Sequence, residues 1–339
     1  MMKANETIRI PSSGMKKEFQ RILKKLNFAD AKAATLTDIF TGNSLDGVYS
    51  HGVNRFPRFV EYIKSGYILP DAEPSILNRT GGIEQWNGNL GPGPLNAVFA
   101  TDRAMYLAEG NGIGMVTLAN TNHWMRGGSY GWQAARNGFV FICWTNTEAN
   151  MPAWGATDPH LGNNPLVFAV PFENEAIVLD FAMSQFSYGK METYKLAGEN
   201  LPFPGGFDSE GEISADPSQI LETKRTLPIG YWKGSGLSLM LDILAAILSG
   251  GKSTSEITDT GIEHSLSQVF IAINISSLVN YPSIAMSIRR IISDLKTSVP
   301  ADPDSSIRYP GENVILIREN NLKNGIPVSR EIWEKITAL

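Results

Sequence analysis

The sequence predicts an α/β fold of the α+β kind, in which a helical N-terminal region is followed by strands and helices in mixed order. Apolar residues recur at helical spacing through the first 75 residues, and strand patterns dominate only after residue 110. The later strands and helices lack the regular alternation of a doubly wound sheet. The glycine pattern of a Rossmann dinucleotide site, G-x-G-x-x-G between a strand and a helix, is missing as well.

Three helices are predicted in the N-terminal region. The first is indicated by an apolar stripe from Phe19 to Leu26, with Lys and Arg residues on the opposite face. The second runs from residue 29 to about residue 44 and is expected to be capped by Asp30. The third starts near Phe56 and stops at Gly66, because glycine commonly follows the last helical residue.

The remainder of the chain contains loops, strands and further helices. Residues 88–94 form a loop rich in glycine and proline, and residues 199–218 form an exposed, turn-rich excursion. The segment 237–248 is nearly all apolar, so we expect a buried helix there. Other helices are predicted over residues 95–108 and 284–295 and after Ser329. Strands are predicted over residues 115–118, 139–144, 166–170, 177–181, 268–275 and 314–318.

Composition and charge are typical of a globular enzyme. The 339 residues suffice for one large domain or two modest ones, and 42% of them are hydrophobic. The net charge is -5 and the basic residues are scattered, which argues against nucleic acid or an anionic membrane as a partner. No apolar run reaches about 18 residues and residues 1–10 lack a signal peptide, so we expect a cytoplasmic protein.

The densest group of polar residues lies between the second and third helices. It contains Ser50 and His51, followed by Arg55 and Arg58, which share one face at the start of a helix. An imidazole can transfer a proton at neutral pH, and a guanidinium group suits a substrate carboxylate. A surface loop with a capping Ser-His pair and solvated arginines explains the same residues equally well.

Three further clusters lie beside predicted strands or helices. His123, after Asn122, could line a pocket or stack in a turn. Asp180 ends an apolar strand, where an unpaired carboxylate is costly, so it needs either a histidine or a helix N-terminus as its partner. Lys233 and Gly234 open the apolar helix, where glycines fit an anion site or tight packing. The four histidines are far apart in sequence, and we expect no metal.

These clusters, in this order, resemble the malate/L-lactate dehydrogenase-like oxidoreductase family over residues 12–339. The resemblance rests on five motifs that are specific only together: Ser50-His51-Gly52-Val53-x-Arg55, Asn122-His123, Gly162-x-Asn164-Pro165, Asp180-x-Ala182-x-Ser184 and Lys233-Gly234-x-Gly236-Leu237. Many members have Phe-Gly after the second histidine, where this chain has Trp124-Met125. Many have His and then Lys-Gly-Tyr-Gly, where this chain has Trp232 and Ser235. These departures favour a sugar-acid branch over a malate or lactate enzyme.

The resemblance implies a mixed, non-Rossmann sheet with flanking helices, and a homodimer with its active site near the subunit interface. We expect a helical N-terminal region, residues 1–75, packed with the C-terminal segment 300–339, and a cofactor-binding sheet domain over residues 76–299. The implied cofactor is NADH, with NADPH possible. The residues implied to bind it are Ala176, Ile177, Val178, Leu179, Asp180, Phe181, Ala182, Trp232, Lys233, Gly311, Glu312 and Asn313.

The resemblance also implies that His51 is the proton donor in hydride transfer from the cofactor to the keto carbon of a small sugar acid. We therefore expect Asp180 to orient His51, with Ser50 in the relay. The expected substrate-binding residues are Arg55, Arg58 and His123. Three alternatives stay open: a dehydrogenase for malate, lactate or ureidoglycolate, a cyclic-imine reductase, and a catalytically inactive sugar-acid-binding protein.

Overall fold

The computed structural model describes residues 7–339, and the first six residues, for which the sequence predicts no signal peptide, lie outside this range. The helices are α1 (Ser12–Lys25), α2 (Asp30–Leu45), α3 (Phe56–Lys64), α4 (Gly93–Asn111), α5 (Gly128–Arg136), α6 (Tyr188–Ala197), α7 (Pro217–Thr223), α8 (Trp232–Ser249), α9 (Thr254–Asp259), α10 (Tyr281–Lys296), α11 (Glu312–Asn324) and α12 (Arg330–Thr337). The strands are β1 (Thr7–Ile10), β2 (Ser75–Thr80), β3 (Ile83–Asn87), β4 (Ile113–Thr121), β5 (Phe139–Thr145), β6 (Ala149–Pro152), β7 (Pro159–Gly162), β8 (Leu166–Phe172), β9 (Glu175–Phe181), β10 (Gly206–Phe207), β11 (Ile213–Ser214), β12 (Leu266–Asn274) and β13 (Ile326–Ser329).

Seven strands form the central sheet, in the order β2-β3-β4-β12-β5-β8-β9. β3 and β4 are parallel, and the other neighbouring strands are antiparallel. The mixed, non-Rossmann sheet that the family resemblance implies is therefore confirmed. The central strands β5 and β12 are mostly apolar because helices pack on both faces of the sheet. β9 lies at one edge, and this position matters for the site described below.

Helices cover the two faces of the sheet unequally. On one face, α4 and α5 pack over a large core that includes Trp124, Phe141 and Phe270, all buried. On the other face, α8 contacts a smaller core through Leu241 and Ala245. The first face is therefore well covered by the chain itself, and the second is only partly covered.

The N-terminal helices have a core of their own. The rings of Phe19 and Phe56 stack with their centroids 4.0 Å apart, and Phe40 packs edge-on against both. β1 pairs antiparallel with β13, and Ile336 of α12 belongs to the same core. The C-terminal segment thus packs on the N-terminal helices, while the domain boundaries near residues 75 and 300 stay predictions.

The strand predicted over residues 314–318 is wrong, because these residues belong to α11. Gly311 precedes this helix in a left-handed conformation, with φ of 89°. Ile315 packs against the sheet core, and the Arg318 guanidinium reaches Asp46 in the N-terminal region. A short apolar run has the same local pattern in a strand and on one face of a helix, so only the packing distinguishes the two.

The apolar segment 237–248 is helical as predicted, but its expected burial is wrong. Leu237, Met240 and Ile247 of α8 expose 39%, 50% and 65% of their surface. Only the side of α8 that includes Leu241 faces the sheet. The apolar composition predicts that the helix is covered, but it does not tell whether the same chain or another molecule covers it.

α8 is also long and apolar enough to cross a membrane, by length and composition alone. Its Asp242, however, accepts hydrogen bonds from the Asn146 amide (2.9 Å) and from the Thr254 N–H (2.8 Å). The Leu241 carbonyl accepts a hydrogen bond from the Trp144 indole. These contacts attach α8 to the sheet and to the start of α9.

The excursion between β9 and α8 is longer than predicted. It contains α6, β10, β11 and α7, and its small core consists of Phe186, Met191, Leu201 and Ile220. Gly189 of α6 lies against the N-terminal region, since a Cβ atom on it would be 2.9 Å from the Cβ atom of Ser50. The sequence also failed to predict β2, β3 and α5. Asp30 is the first residue of α2, and Ala29 holds the cap position.

Candidate active site

Ser50 and His51 lie in a short 3-10 turn, Tyr49–His51, directly after α2. The Ser50 hydroxyl oxygen lies 3.0 Å from His51 Nδ1. The Asn43 side-chain amide donates a hydrogen bond of 2.9 Å to the His51 carbonyl. Gly52 passes so close to α2 that a Cβ atom on it would be 2.3 Å from the Ser44 hydroxyl. These contacts fix the turn and leave Nε2 of His51 as the nitrogen available to a substrate.

His123 is brought to the same site from the end of β4. The Met125 N–H donates to its Nδ1 at 2.9 Å, so Nδ1 is an acceptor and Nε2 is the protonated nitrogen of the neutral ring. Asn122 holds this segment through hydrogen bonds to three backbone carbonyls. The rings of His51 and His123 are nearly parallel, with centroids 5.7 Å apart. The sequence therefore named both histidines, and the fold brings them together.

Both imidazoles are neutral at pH 7. Burial, followed by the charges of Arg55 and Arg126, lowers the pKa of His51 to about 4. Burial also lowers the pKa of His123 well below its usual value, with Arg55 as the next cause. A site with two neutral imidazoles beside fixed cations is arranged to receive an anion.

Arg55 and Arg58 supply those cations, as predicted from the sequence. The Arg58 guanidinium donates to the Tyr62 hydroxyl at 2.7 Å. Arg55 faces the buried carboxylate of Glu263, with 3.7 Å between its Nη2 and Glu263 Oε1. This separation is longer than a hydrogen bond, so the guanidinium keeps donors for a substrate. The sequence analysis missed Glu263, because it lies in a turn with no motif around it.

Asp180 contacts different groups from those expected. Its Oδ2 accepts a hydrogen bond of 2.8 Å from the Gly128 N–H at the start of α5 and lies 3.9 Å from Arg126 Nε. Burial raises the pKa of Asp180, and Arg126 and the Gly128 N–H oppose that rise. Within residues 7–339, no hydrogen bond joins Asp180 to His51, so the expected orientation of His51 by Asp180 stays a prediction.

Arg126 connects Asp180 to the rest of the site, and the sequence analysis gave it no role. Its guanidinium is buried and pairs with the buried carboxylate of Asp46, which also accepts a hydrogen bond of 2.6 Å from Arg318. Arg126 acts on His51 through its charge. A helix N-terminus and a guanidinium group thus satisfy the Asp180 carboxylate, and Arg126 lies between Asp180 and Asp46.

The three predicted cofactor stretches lie along one line at the β9 edge. The Val178 N–H donates to the Pro310 carbonyl at 3.2 Å, which places Gly311 beside β9. At the other end, the Ile229 N–H donates to the Met183 carbonyl at 2.7 Å, which places the start of α8 next to the end of β9. Stretches that are far apart in the sequence thus form one continuous edge.

The exposed groups on this edge fit an extended nicotinamide dinucleotide. Leu179 is exposed on an edge strand, the Asp180 side chain is only 25% exposed, Trp232 offers an exposed aromatic face and Lys233 an exposed cation. Gly311 leaves space, since a Cβ atom on it would lie 3.3 Å from the Val178 nitrogen. The other residues implied to contact the cofactor are partly buried: Ile177, Phe181, Ala182, Glu312 and Asn313.

Two of the predicted cofactor residues can contribute main-chain atoms only. The side chains of Ala176 and Val178 are buried in the sheet core under α5. The Glu312 carboxylate is also occupied, since it accepts hydrogen bonds from Lys296 at 2.5 and 2.6 Å. A ligand on this edge would therefore meet mainly backbone groups. Among the described residues, no group of three or more His, Cys, Asp or Glu side chains is placed to hold a metal ion.

Comparison with known proteins identifies the family. The profile of the malate/L-lactate dehydrogenase family matches residues 10–337. The chain belongs to this family. Its members oxidise CH–OH groups or reduce keto groups, so the chain is an oxidoreductase and its family implies a nicotinamide cofactor.

Two relatives within this family are similar over nearly their full lengths. The chain is 44% identical over 333 residues to a 2,3-diketo-L-gulonate reductase of Klebsiella pneumoniae (strain 342), with 98% of this chain and 100% of the relative covered. It is 45% identical over 326 residues to the reductase of the same name in Escherichia coli O139:H28, with 96% and 98% covered.

The fold is shared with solved members of the family. The malate dehydrogenase of Entamoeba histolytica superposes with a TM-score of 0.91 at 25% sequence identity, and the match covers 98% of this chain and 97% of that one. The mixed sheet and its helices are thus those of the malate/L-lactate dehydrogenase family.

Proposed function

We propose that this chain reduces 2,3-diketo-L-gulonate to 3-dehydro-L-gulonate with NADH, and with NADPH as the second choice. The observation that supports this best is the site itself, in which two neutral, nearly parallel imidazoles lie beside the charges of Arg55 and Arg58. Relatives of 44% and 45% identity named for this substrate support the choice of acid.

Arg55 and Arg58 bind the substrate carboxylate. Guanidinium groups bind carboxylates in a bidentate manner, and the two arginines are separated by one turn at the start of α3. The keto carbon at position 2 is bonded directly to that carboxylate, so anchoring it brings the carbonyl oxygen next to the histidine pair. His123, whose Nε2 is protonated, donates a hydrogen bond to the substrate.

His51 supplies the proton. A bound nicotinamide supplies the hydride, and the developing alkoxide takes a proton from Nε2 of His51. The substrate carboxylate offsets the charge of Arg55, which is one cause of the low pKa of His51. Substrate binding therefore raises that pKa and lets the imidazole become protonated, with Nδ1–H donating to the Ser50 hydroxyl. Arg126 stays fixed near His51 because it pairs with Asp46 and faces Asp180.

The β9 edge would hold the cofactor. Main-chain groups of β9, the Gly311 turn and the start of α8 with Trp232 and Lys233 are its proposed contacts. Measuring kcat/KM with NADH and with NADPH at one substrate concentration tests the preference for NADH. A higher value with NADPH would reverse it.

A second copy of this chain is the proposed protein partner, and the cytoplasm is the proposed location. The outer face of α8 has five large apolar side chains that are 39% to 65% exposed: Leu237, Leu239, Met240, Ile243 and Ile247. Such a contiguous apolar face is unusual on a monomer. α8 begins at Trp232, so the dimer contact would adjoin the cofactor edge. Light scattering of the wild type and of Ile247→Glu tests this, and a monomeric wild type would contradict it.

The test of the proposed reaction is oxidation of NADH with 2,3-diketo-L-gulonate, pyruvate and oxaloacetate as alternative acceptors. Selective turnover of the diketo acid is the expected result. Turnover of only the simple acids would keep the reaction class and change the substrate. Cofactor binding without turnover of any acid would favour a cyclic-imine substrate or a non-catalytic binding protein.

A further inference from the structure

Two carboxylates near Arg55 have no part in the proposed reaction. Glu263 is 7% exposed and lies in the turn before β12, and its Oε1 is 3.7 Å from Arg55 Nη2. Glu148 lies between β5 and β6 and is partly buried. The Ala149 N–H donates to the Thr258 hydroxyl at 2.8 Å, which places Glu148 next to the segment that leads to Glu263. Burial raises the pKa of Glu263, and the charge of Glu148 also raises it.

Both carboxylates act on the arginines proposed to bind the substrate. The charges of Glu148 and Glu263 raise the pKa of Arg55 and that of Arg58, against the lowering by burial. Two guanidinium groups thus face two carboxylates, while the histidines beside them are neutral at pH 7. The two carboxylates thus offset part of the positive charge of the guanidinium groups before any substrate binds.

Because the positive charge of Arg55 and Arg58 is partly offset, the pocket can bind one substrate carboxylate and disfavours a second one. The first carboxylate binds the guanidinium groups. A second carboxylate on the same molecule would meet Glu148 and Glu263 at close range. The next cation near the site, Arg126, is already paired with Asp46 and faces Asp180. Like charges at such distances in a partly buried pocket are strongly unfavourable.

Hydroxyl groups, in contrast, suit these carboxylates. A carboxylate accepts several hydrogen bonds. Glu263 approaches Arg55 only at 3.7 Å, so it keeps the capacity to accept from a hydroxyl. The Tyr188 hydroxyl of α6, near Glu148, already donates to the Asn150 carbonyl at 2.9 Å. The carboxylates therefore remain acceptors for a ligand.

We propose that Glu148 and Glu263 determine substrate specificity, by selecting 2-oxo monocarboxylic acids whose chain has hydroxyl groups and by rejecting 2-oxo dicarboxylic acids. The inference rests on the proposed function, because it requires the substrate carboxylate at Arg55 and Arg58. On this proposal, the preference for a sugar acid over a dicarboxylic acid depends on two residues outside the motifs of the histidine turn.

The experiment compares kcat/KM for oxaloacetate and for 2,3-diketo-L-gulonate in the wild type and in Glu148→Gln. We expect the ratio of the first to the second to rise at least about tenfold, mainly through KM, because the variant removes a like charge and a hydroxyl acceptor. Pyruvate, with one carboxylate and no hydroxyl, should change by less than about twofold. Glu109→Gln, on the exposed end of α4, is the matched control and should keep the wild-type ratio.

Glu263→Gln is the second variant, with the same expected direction. Glu148 is only partly buried, so Glu148→Gln remains a test even if Glu263→Gln does not fold. Thermal melting reports whether each variant is folded. Unchanged ratios in both folded variants, with normal turnover of the diketo acid by the wild type, would overturn this inference alone. A wild type that binds the cofactor and reduces none of the acids would overturn the proposed function, and this inference with it.

Discussion

Residues 49–58, which comprise the 3-10 turn and the first residues of α3, differ from the strand β9 in how they contribute to the candidate active site. In the following comparison these residues are called the turn. The turn presents side chains, chiefly His51 and Arg55, which buried hydrogen bonds such as that from Asn43 to the His51 carbonyl hold in place. β9 presents its main chain, because side chains such as that of Val178 point into the core. The groups that the turn offers to a ligand depend on which residues it contains, whereas those of β9 depend on where its backbone lies.

Substitutions in these two regions should therefore have different effects on activity. A change of side chain in the turn removes a chemical group at the reacting atoms. A change on the exposed side of the β9 edge removes little, because an edge strand keeps its N–H and C=O groups whatever side chain it has. The four predictions below test this contrast.

The largest effect is expected for His51→Ala. Loss of a general acid lowers kcat by about 10²–10⁴-fold, while the KM for NADH changes little because the β9 edge is untouched. Steady-state kinetics with the diketo acid and a cofactor titration measure both quantities. His160→Ala, whose side chain is 75% exposed, is the control and should be as active as the wild type. A near-normal kcat in the His51 variant would remove it from the reaction.

A smaller effect is expected for Arg55→Lys. The lysine keeps the charge but loses the planar fork, so the KM for the acid should rise by about 10–100-fold with a smaller change in kcat. The KM for NADH should stay the same. A rise in both KM values would mean that the turn and β9 are not separate in function.

The acid sensitivity of folding is a third test of the turn. The folded pKa of His51 is about 4 and the unfolded value is 6.5, so the unfolded chain binds more protons between these pH values. Stability contributed by the neutral ring is present above about pH 6.5 and is lost as the pH falls towards 4. His51→Asn should flatten the decline in urea midpoint over this range. An equally steep decline in the variant would assign the effect to other groups, His123 first.

The smallest effect is expected for Lys233→Ala at the start of α8. An exposed cation contributes about 0.2–1 kcal/mol, so the KM for NADH should rise by less than about fivefold. The kcat and the KM for the acid should not change. A loss of cofactor binding would show that a side chain, rather than the backbone of the edge, dominates recognition there.

Much of the fold could be predicted from local patterns. Residues 139–144 and 268–275 alternate or run apolar as strands do, and they lie in the centre of the sheet. The helices at residues 95–108 and 284–295 are present with longer ends. The segment 314–318 failed because five apolar or long residues cannot distinguish a strand from one helical face.

Part of the site could be predicted because some of its residues are neighbours in the sequence. Ser50 and His51 are adjacent in sequence, so their contact at 3.0 Å required no knowledge of the fold. The partner of Asp180 could not be predicted, because Gly128 and Arg126 reach it only once α5 packs on β9. Glu263 was missed for the same reason: its role depends on Arg55, which is distant in sequence.

Local pattern and residue type were enough to predict the family, most of the helical and strand segments and the candidate side chains around His51. Tertiary structure alone decided that His123 stacks beside His51, that Asp180 pairs with Gly128 and Arg126, and that the outer face of α8 stays exposed. The physical reason is the same in each case. Pairing and burial are properties of two surfaces, and a single stretch of sequence encodes only one of them.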